Sequence, residues 1–370
     1  MFTFVRNIFI FFGLLALSAC STNTFEYSYT ASYSEQTLLD GYLILGKKLE
    51  DSDLPETDIL TVTPEMEKFL TDELGKVNGD ANKARKLSKA IFDEKSLGLI
   101  YDPKLTYTAN EAFIKGYGNC LSFSYLYSVL ARRLGLDIQF QEIHILPEWD
   151  YASDDIYVEN KHVNIRVKVS GNPDLIVDID EVLPERQLDY TLLSKNDVEA
   201  LYYGNIGAEY LINNDFQTAF KYFVKAIKMD PDNSSYWANL GVLYRRAGYN
   251  KTAEKSYFKA LSLNSQDKAT LNNLSFMYRE LGENEKADYF GNLVKKYQNK
   301  NPYFRYVKAK KAMEENLYDL AMDHINQAIK RKEQEPRFHE LKSQIYARVG
   351  NLREAQKALR VAENLKSEAI

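Results

Sequence analysis

Cysteine occurs twice in the 370 residues, and the surroundings of Cys120 are those of a reactive thiol. Gly118-Asn119-Cys120 precedes Phe123, Leu126, Leu130 and Leu134 at helical spacing, and Gly135 supplies a C-terminal stop. This pattern predicts Asn119 as the cap of a buried helix and Cys120 as its first residue. A thiol placed there meets the positive end of the helix dipole and unpaired backbone N–H groups, which favour the nucleophilic thiolate. The same N–H groups can serve as part of an oxyanion hole. A base follows in His162 and an acid in Asp178, with Asp180 two residues beyond it. The chemistry would be thiolate attack on a carbonyl, with imidazole moving the proton and a carboxylate holding the imidazole.

These groups need elements that bring them together. Helical patterns run over 64–74 after Thr63 and over 81–92 after Asp80, which reads as an N-cap. Thr108 and Glu111 form a capping box that opens a short helix. Beyond Gly135 the period changes to two. Residues 137–145 read as a strand, and 162–169 alternate with Val163, Ile165, Val167 and Val169 on one side and His162, Asn164 and Arg166 on the other. A turn at Ser170-Gly171-Asn172-Pro173 leads to a further strand over 175–180. With a turn of three or five residues His162 and Asp178 share a face, opposite or diagonal to each other. Asp180 shares that face too, so spacing leaves the acid open between the two. His144 falls on a strand before the Pro147-Glu148-Trp149 loop and reads as structural.

The segments GYGNCLSFSYLYSVLARRLGLD, KHVNIRV and LIVDID carry this order, and it resembles the transglutaminase-like branch of the papain-like thiol fold. The resemblance implies Cys120 as nucleophile, His162 as general base and Asp178 as orienting acid. It also implies a thioester intermediate with a carboxamide or peptide bond of a protein substrate. Leu121 and Ser122 stand where an acidic residue is frequent in that family, and no side-chain oxyanion donor is evident beyond Tyr117 and Trp149.

The C-terminal part carries a period of 34, set by Ala219, Ala253, Ala287, Ala321 and Ala355. Gly207 and Gly241 precede the first two alanines, Phe223 and Tyr257 follow them, and Gly248, Gly282 and Gly350 share one turn position. Trp237, Leu240, Gly241, Tyr244, Ala253, Tyr257 and Ala260 together resemble the tetratricopeptide repeat. About five repeats are expected over 198–370, with Gly291 replacing an aromatic in the third. Asn205, Asn239 and Asn273 recur at one position, as do Arg245 and Arg279, and these could hold an extended peptide and its carboxylates. His324 and His339 read as solvated.

Residues 1–19 have one charge, Arg6, before an apolar run over 8–17, and then Leu17-Ser18-Ala19-Cys20. The run suits a signal peptide, and the last four residues resemble a bacterial lipobox that lipidates Cys20. Ser21 then implies the periplasmic face of the outer membrane. Residues 20–60 read as a tether. The net charge of −5 leaves no excess of basic groups for nucleic acid. Two cysteines exclude both a disulfide framework and a four-cysteine zinc site, and no cofactor or metal is expected.

The expected fold class is α+β: a transglutaminase-like domain over 61–197, followed by an all-α tetratricopeptide solenoid. The expected function is an envelope lipoprotein whose thiol domain acts on a protein substrate recruited by the repeats. The alternative is a non-catalytic scaffold or assembly factor of the cell envelope.

Overall fold

Thr63, Thr108 and Asn119 each turn a side-chain oxygen onto an otherwise free backbone N–H, and a helix begins after each. The bonds come from Met66 N at 3.4 Å, Glu111 N at 3.2 Å and Ser122 N at 3.0 Å. The structure is a computed structural model that describes residues 35–143, 149–153, 156–159, 162–171, 173–178, 181–184 and 190–368, all within the compact unit Tyr33–Ile370.

Two short helices, α1 (Gln36–Leu39) and α2 (Tyr42–Leu45), come first. The tether expected over 20–60 is, from residue 35 on, a packed segment. Leu38 is buried and its carbonyl accepts a bond from Tyr244 OH at 2.7 Å. Lys259 pairs with Glu35 at 2.6 Å, and Lys225 and Lys228 pair with Glu56 and Asp51. The polar composition of 21–35 suggested a tether, but the chain turns apolar from Leu38 to Leu45, and buried Leu38 with these ion pairs holds the segment on the repeats.

Helices α3 (Pro64–Leu74) and α4 (Asp80–Phe92) bury Met66, Leu70, Leu87 and Ile91. The cap of α4 is Gly79, not Asp80; Gly79 has φ of 83°, and Asp80 is the first helical residue. Strand β1 (Ile100–Tyr101) pairs in parallel with β2 (Tyr117–Gly118), and α5 (Ala109–Lys115) connects them. Helix α6 (Cys120–Arg133) then runs through the core, with Leu121 to Ala131 all buried. A helix apolar on one side only would lie on a surface; α6 carries buried residues all round, as a central helix must.

A five-stranded antiparallel sheet packs on α6 in the order β8-β7-β6-β3-β9. Its strands are β3 (Ile138–Ile143), β6 (His162–Val167), β7 (Leu175–Asp178), β8 (Glu181–Pro184) and β9 (Tyr190–Leu193). Strands β4 (Trp149–Ser153) and β5 (Ile156–Glu159) form a separate hairpin. The Tyr125 and Phe140 rings meet edge to face at 6.4 Å, and Ser124 Oγ donates to Val163 O at 3.3 Å.

Ten helices of the described residues form five hairpins beyond the sheet. These are α7 (Lys195–Ile212) with α8 (Phe216–Met229), α9 (Ser234–Arg246) with α10 (Asn250–Leu263), and α11 (Lys268–Glu280) with α12 (Asn284–Lys300). The last two are α13 (Pro302–Glu314) with α14 (Tyr318–Arg331), and α15 (Pro336–Arg348) with α16 (Leu352–Glu368). All five periodic alanines are buried. The turn inside each hairpin is left-handed at the same position: Asn214, Gly248, Gly282, Asn316 and Gly350 have φ of 63°, 86°, 75°, 62° and 81°. Glycine and asparagine are the residues that adopt this conformation at least cost.

Where the paired helices cross, one side is small. A Cβ on Gly207 would stand 2.7 Å from the Phe223 ring, and one on Gly241 2.5 Å from the Tyr257 ring. In the third hairpin the sizes are exchanged: Ser275 replaces the glycine, its hydroxyl donates to Ala287 O at 2.7 Å, and Gly291 replaces the aromatic.

Candidate active site

Three local interactions fix Cys120. Asn119 Oδ1 caps the Ser122 N–H, and Asn119 Nδ2 donates to Thr106 Oγ1 at 2.9 Å. Ser122 Oγ accepts from Tyr107 N at 2.7 Å. Gly118 lies so close to the first turn of α6 that a Cβ there would stand 2.6 Å from Ser122 Cβ. The approach to Cys120 therefore requires a glycine and a capping residue in succession. Cys120 is a free, partly buried thiol.

The sheet register positions the other two groups. Ile165 pairs with Val177 and Val167 with Leu175, leaving residues 168–174 as the connection. That odd number preserves the parity needed to put His162 and Asp178 on one face. The same register sets Asn164 beside Asp178 and His162 diagonal to it. Asp174 closes the connection by accepting from Arg166 Nε at 2.8 Å and Val169 N at 3.3 Å.

Both Asp178 carboxylate oxygens lie 2.7 Å from His162 Nε2. Asn164 Nδ2 donates to Asp178 Oδ2 at 3.1 Å. Burial of the imidazole works against its protonation, but hydrogen bonds to Asp178 and Cys120, with their charges, push its pKa up to about 10. Nε2 is thus committed to Asp178, which leaves Nδ1 as the other ring nitrogen. Asp180, the other candidate acid, and His144 lie outside the described residues, as do Cys20 and the Trp149 side chain. Tyr117 is exposed on β2.

The repeat residues are placed unequally. Asn205 Nδ2 reaches Thr106 Oγ1 at 3.4 Å, so the first asparagine engages the thiol domain. Asn239 is half-buried. Asn273 is only 2% exposed, on a helix against which β5 packs. Arg245 is buried, donates to Glu280 at 2.9 Å and lies over the Phe276 ring, whereas Arg279 is exposed and 3.7 Å from Asp288. His339 is not solvated as expected: it is 8% exposed and Nε2 lies 2.7 Å from Glu333 O. His324 is partly buried beside Arg305, and burial with that neighbouring charge lowers its pKa.

Two contributors were not read from the sequence. Asn164 carried a signal, since it lies two residues from His162 on a strand and so shares its face. Thr106 carried none, because its role depends on contacts made across the fold. Among the described residues no group of three or more His, Cys, Asp or Glu side chains could hold a metal ion, and no helix is long and apolar enough to cross a membrane.

Comparison with curated proteins finds no match. Solved structures similar to part of the chain include Pseudomonas aeruginosa PilF, at 17% identity over 46% of this chain and 78% of that one, with a TM-score of 0.28. MamA is 20% identical over 46% of this chain and 92% of its own, with a TM-score of 0.25. YrrB, a TPR protein with an unusual peptide-binding site, is 17% identical over 47% and 89%, with a TM-score of 0.26. The tetratricopeptide-repeat family matches residues 200–233 and again 222–255. With the helix hairpins, the left-handed turns and the small-against-large crossings described above, residues 200–255 are tetratricopeptide repeats.

Proposed function

We propose that this chain is a tetratricopeptide-repeat protein whose α+β domain is transglutaminase-like and acts through a Cys120 thioester on a carboxamide or peptide bond of a protein partner. The observation that carries the reading is the His162–Asp178 contact at 2.7 Å, made from a strand that packs against the helix Cys120 opens. The proposed boundaries are 61–197 for the thiol domain and 198–370 for the repeats.

A Cys120 thiolate, with protonated His162 as counter-charge, would add to the carbonyl carbon. His162 would then give its proton to the leaving amine as the C–N bond breaks, leaving a thioester and a neutral imidazole. Water or a second amine, losing its proton to that imidazole, would release the acyl group. Asp178 keeps the ring aligned through both steps, and Asn164 holds Asp178. Solenoids of this class offer extended binding surfaces, so the repeats would bring the partner to the thiol. The chain would be anchored through lipid on Cys20 at the periplasmic face of the outer membrane.

The test uses the chain carrying Cys20→Ser, in which Cys120 is the one thiol. His162→Ala should slow iodoacetamide alkylation of Cys120 at pH 7 by about tenfold or more. An unchanged rate would sink the catalytic reading. A second reading, a non-catalytic scaffold of the envelope, is favoured by the family matches lying wholly in the repeats. It predicts that Cys120→Ala leaves partner capture and cellular function intact.

A further inference from the structure

Acyl transfer to a thiol needs more than the three groups already placed. When sulfur adds to a carbonyl, the π electron pair moves onto the oxygen, and that oxygen needs hydrogen-bond donors. At the start of α6 the Ser122 N–H is taken by Asn119 Oδ1 and the Phe123 N–H by Asn119 O. That leaves the N–H groups of Cys120 and Leu121 as backbone donors.

Two tyrosines sense the charge of Cys120, namely Tyr101 and Tyr125. Tyr125 is fully buried, and its hydroxyl donates to Val198 O at 2.6 Å. Tyr101 is different in each respect. It pairs across the parallel ladder with Gly118, two residues before Cys120. Side chains alternate along a strand, so Tyr101 lies on the Gly118 face and Tyr117 on the other. The Gly118 face looks onto the first turn of α6, as the 2.6 Å approach to Ser122 shows. Tyr101 is 47% exposed, and among the described residues its hydroxyl has no hydrogen-bond partner. Burial of the ring, then the charges of Cys120 and Asp178, raise its pKa, so the phenol keeps its proton at neutral pH.

From the ladder register, the face shared with Gly118 and the uncommitted hydroxyl, we propose that Tyr101 is the side-chain oxyanion donor for acyl transfer at Cys120. The proposal rests on the thioester reading of Cys120. In the balanced step, the thiolate forms a C–S bond to the carbonyl carbon and the carbonyl π pair becomes an oxyanion bonded by Tyr101 O–H. Collapse of that adduct restores the carbonyl and expels the leaving group with its electron pair.

Two probes separate the roles. p-Nitrophenyl acetate acylates through an oxyanion and releases p-nitrophenolate; iodoacetamide alkylates by displacement with no oxyanion. Both are applied to the full chain carrying Cys20→Ser. Tyr101→Phe, which keeps the ring, should slow p-nitrophenolate release at least about tenfold and leave alkylation within about twofold. Equal acylation by the variant overturns the proposal. So does a parallel fall in both rates, which would mean that Tyr101 acts on the thiol or the fold. A protein with unmutated Tyr101 that alkylates but releases no p-nitrophenolate also overturns it. His162→Ala reports separately on the thioester reading: it should slow both reactions, and a failure there leaves the Tyr101 comparison readable.

Discussion

Asn205 in the first repeat and Asn119 at the start of the Cys120 helix donate to the same hydroxyl, Thr106 Oγ1, at 3.4 and 2.9 Å. Thr106 N also donates to Glu209 Oε1 at 3.4 Å, and burial raises the pKa of that carboxyl. One threonine therefore ties a repeat helix to the cap that positions the thiol. Thr106→Val keeps the shape and removes the hydroxyl, stranding two amides. Denaturant unfolding should show a loss of about 1–3 kcal/mol. Asn205→Ala should cost less in Thr106→Val than in the unmutated protein, and strictly additive losses would argue against the shared bond.

The His162–Asp178 pair makes a prediction with a definite sign. The imidazole pKa is raised from 6.5 to about 10 in the folded chain. Its contribution to stability is full below pH 6.5 and is lost as pH rises through about 10. The stability gap between the unmutated protein and His162→Gln should therefore narrow between those values. Asp178→Asn removes one of the two partners that together outweigh burial, so the His162 NMR titration midpoint should move down from about 10 towards 6.5. A midpoint that stays put would exclude Asp178 as the acid.

Crossing sites in the repeats should answer alanine differently. Both Gly241 and Gly291 lie inside helices, where alanine is intrinsically better by about 1 kcal/mol. At Gly241 the new Cβ meets the Tyr257 ring at 2.5 Å, whereas at Gly291 the nearest atom is Ser275 Oγ at 3.2 Å. Gly241→Ala should destabilise by about 1–3 kcal/mol through overpacking, and Gly291→Ala should be close to neutral. Thermal melts in which Gly291→Ala is the worse of the two would contradict this account of the crossings.

The anchor is tested apart from the fold. If Cys20 is lipidated, Cys20→Ser should move the protein from the membrane to the soluble fraction or block its processing. Unchanged fractionation and mature mass would remove the lipoprotein proposal and leave the thiol chemistry untouched.

Local rules made much of this legible. The Thr108–Glu111 box, the Asn119 cap and the parity between His162 and Asp178 follow from a few adjacent residues, and each is present. The repeat period gave three left-handed turns from glycine; Asn214 and Asn316 occupy the same position and could have been read with them, because asparagine tolerates that backbone. What escaped depends on partners distant in sequence. Leu38 meets Tyr244, Asn205 meets Thr106, and His339 finds a carbonyl in its own repeat only once the hairpin has formed. Residues 36–45 are largely apolar, which signals packing, but nothing local to them reveals the tyrosine that donates to Leu38 O.

Repeats four and five share a core of their own, built from Ala309, Ala321, Ile325, Phe338, Leu341 and Ile345. The first two repeats, by contrast, are bound by the N-terminal segment, and α11 lies under β5. Stability in a solenoid is a sum of neighbour terms, so an end that has neighbours on one side only opens first. Amide hydrogens of α13 to α16 should thus exchange with solvent sooner than those of α7 to α10. The molecule is in this respect graded along its length, with a slow-breathing half that includes the thiol and a faster one that ends in α16.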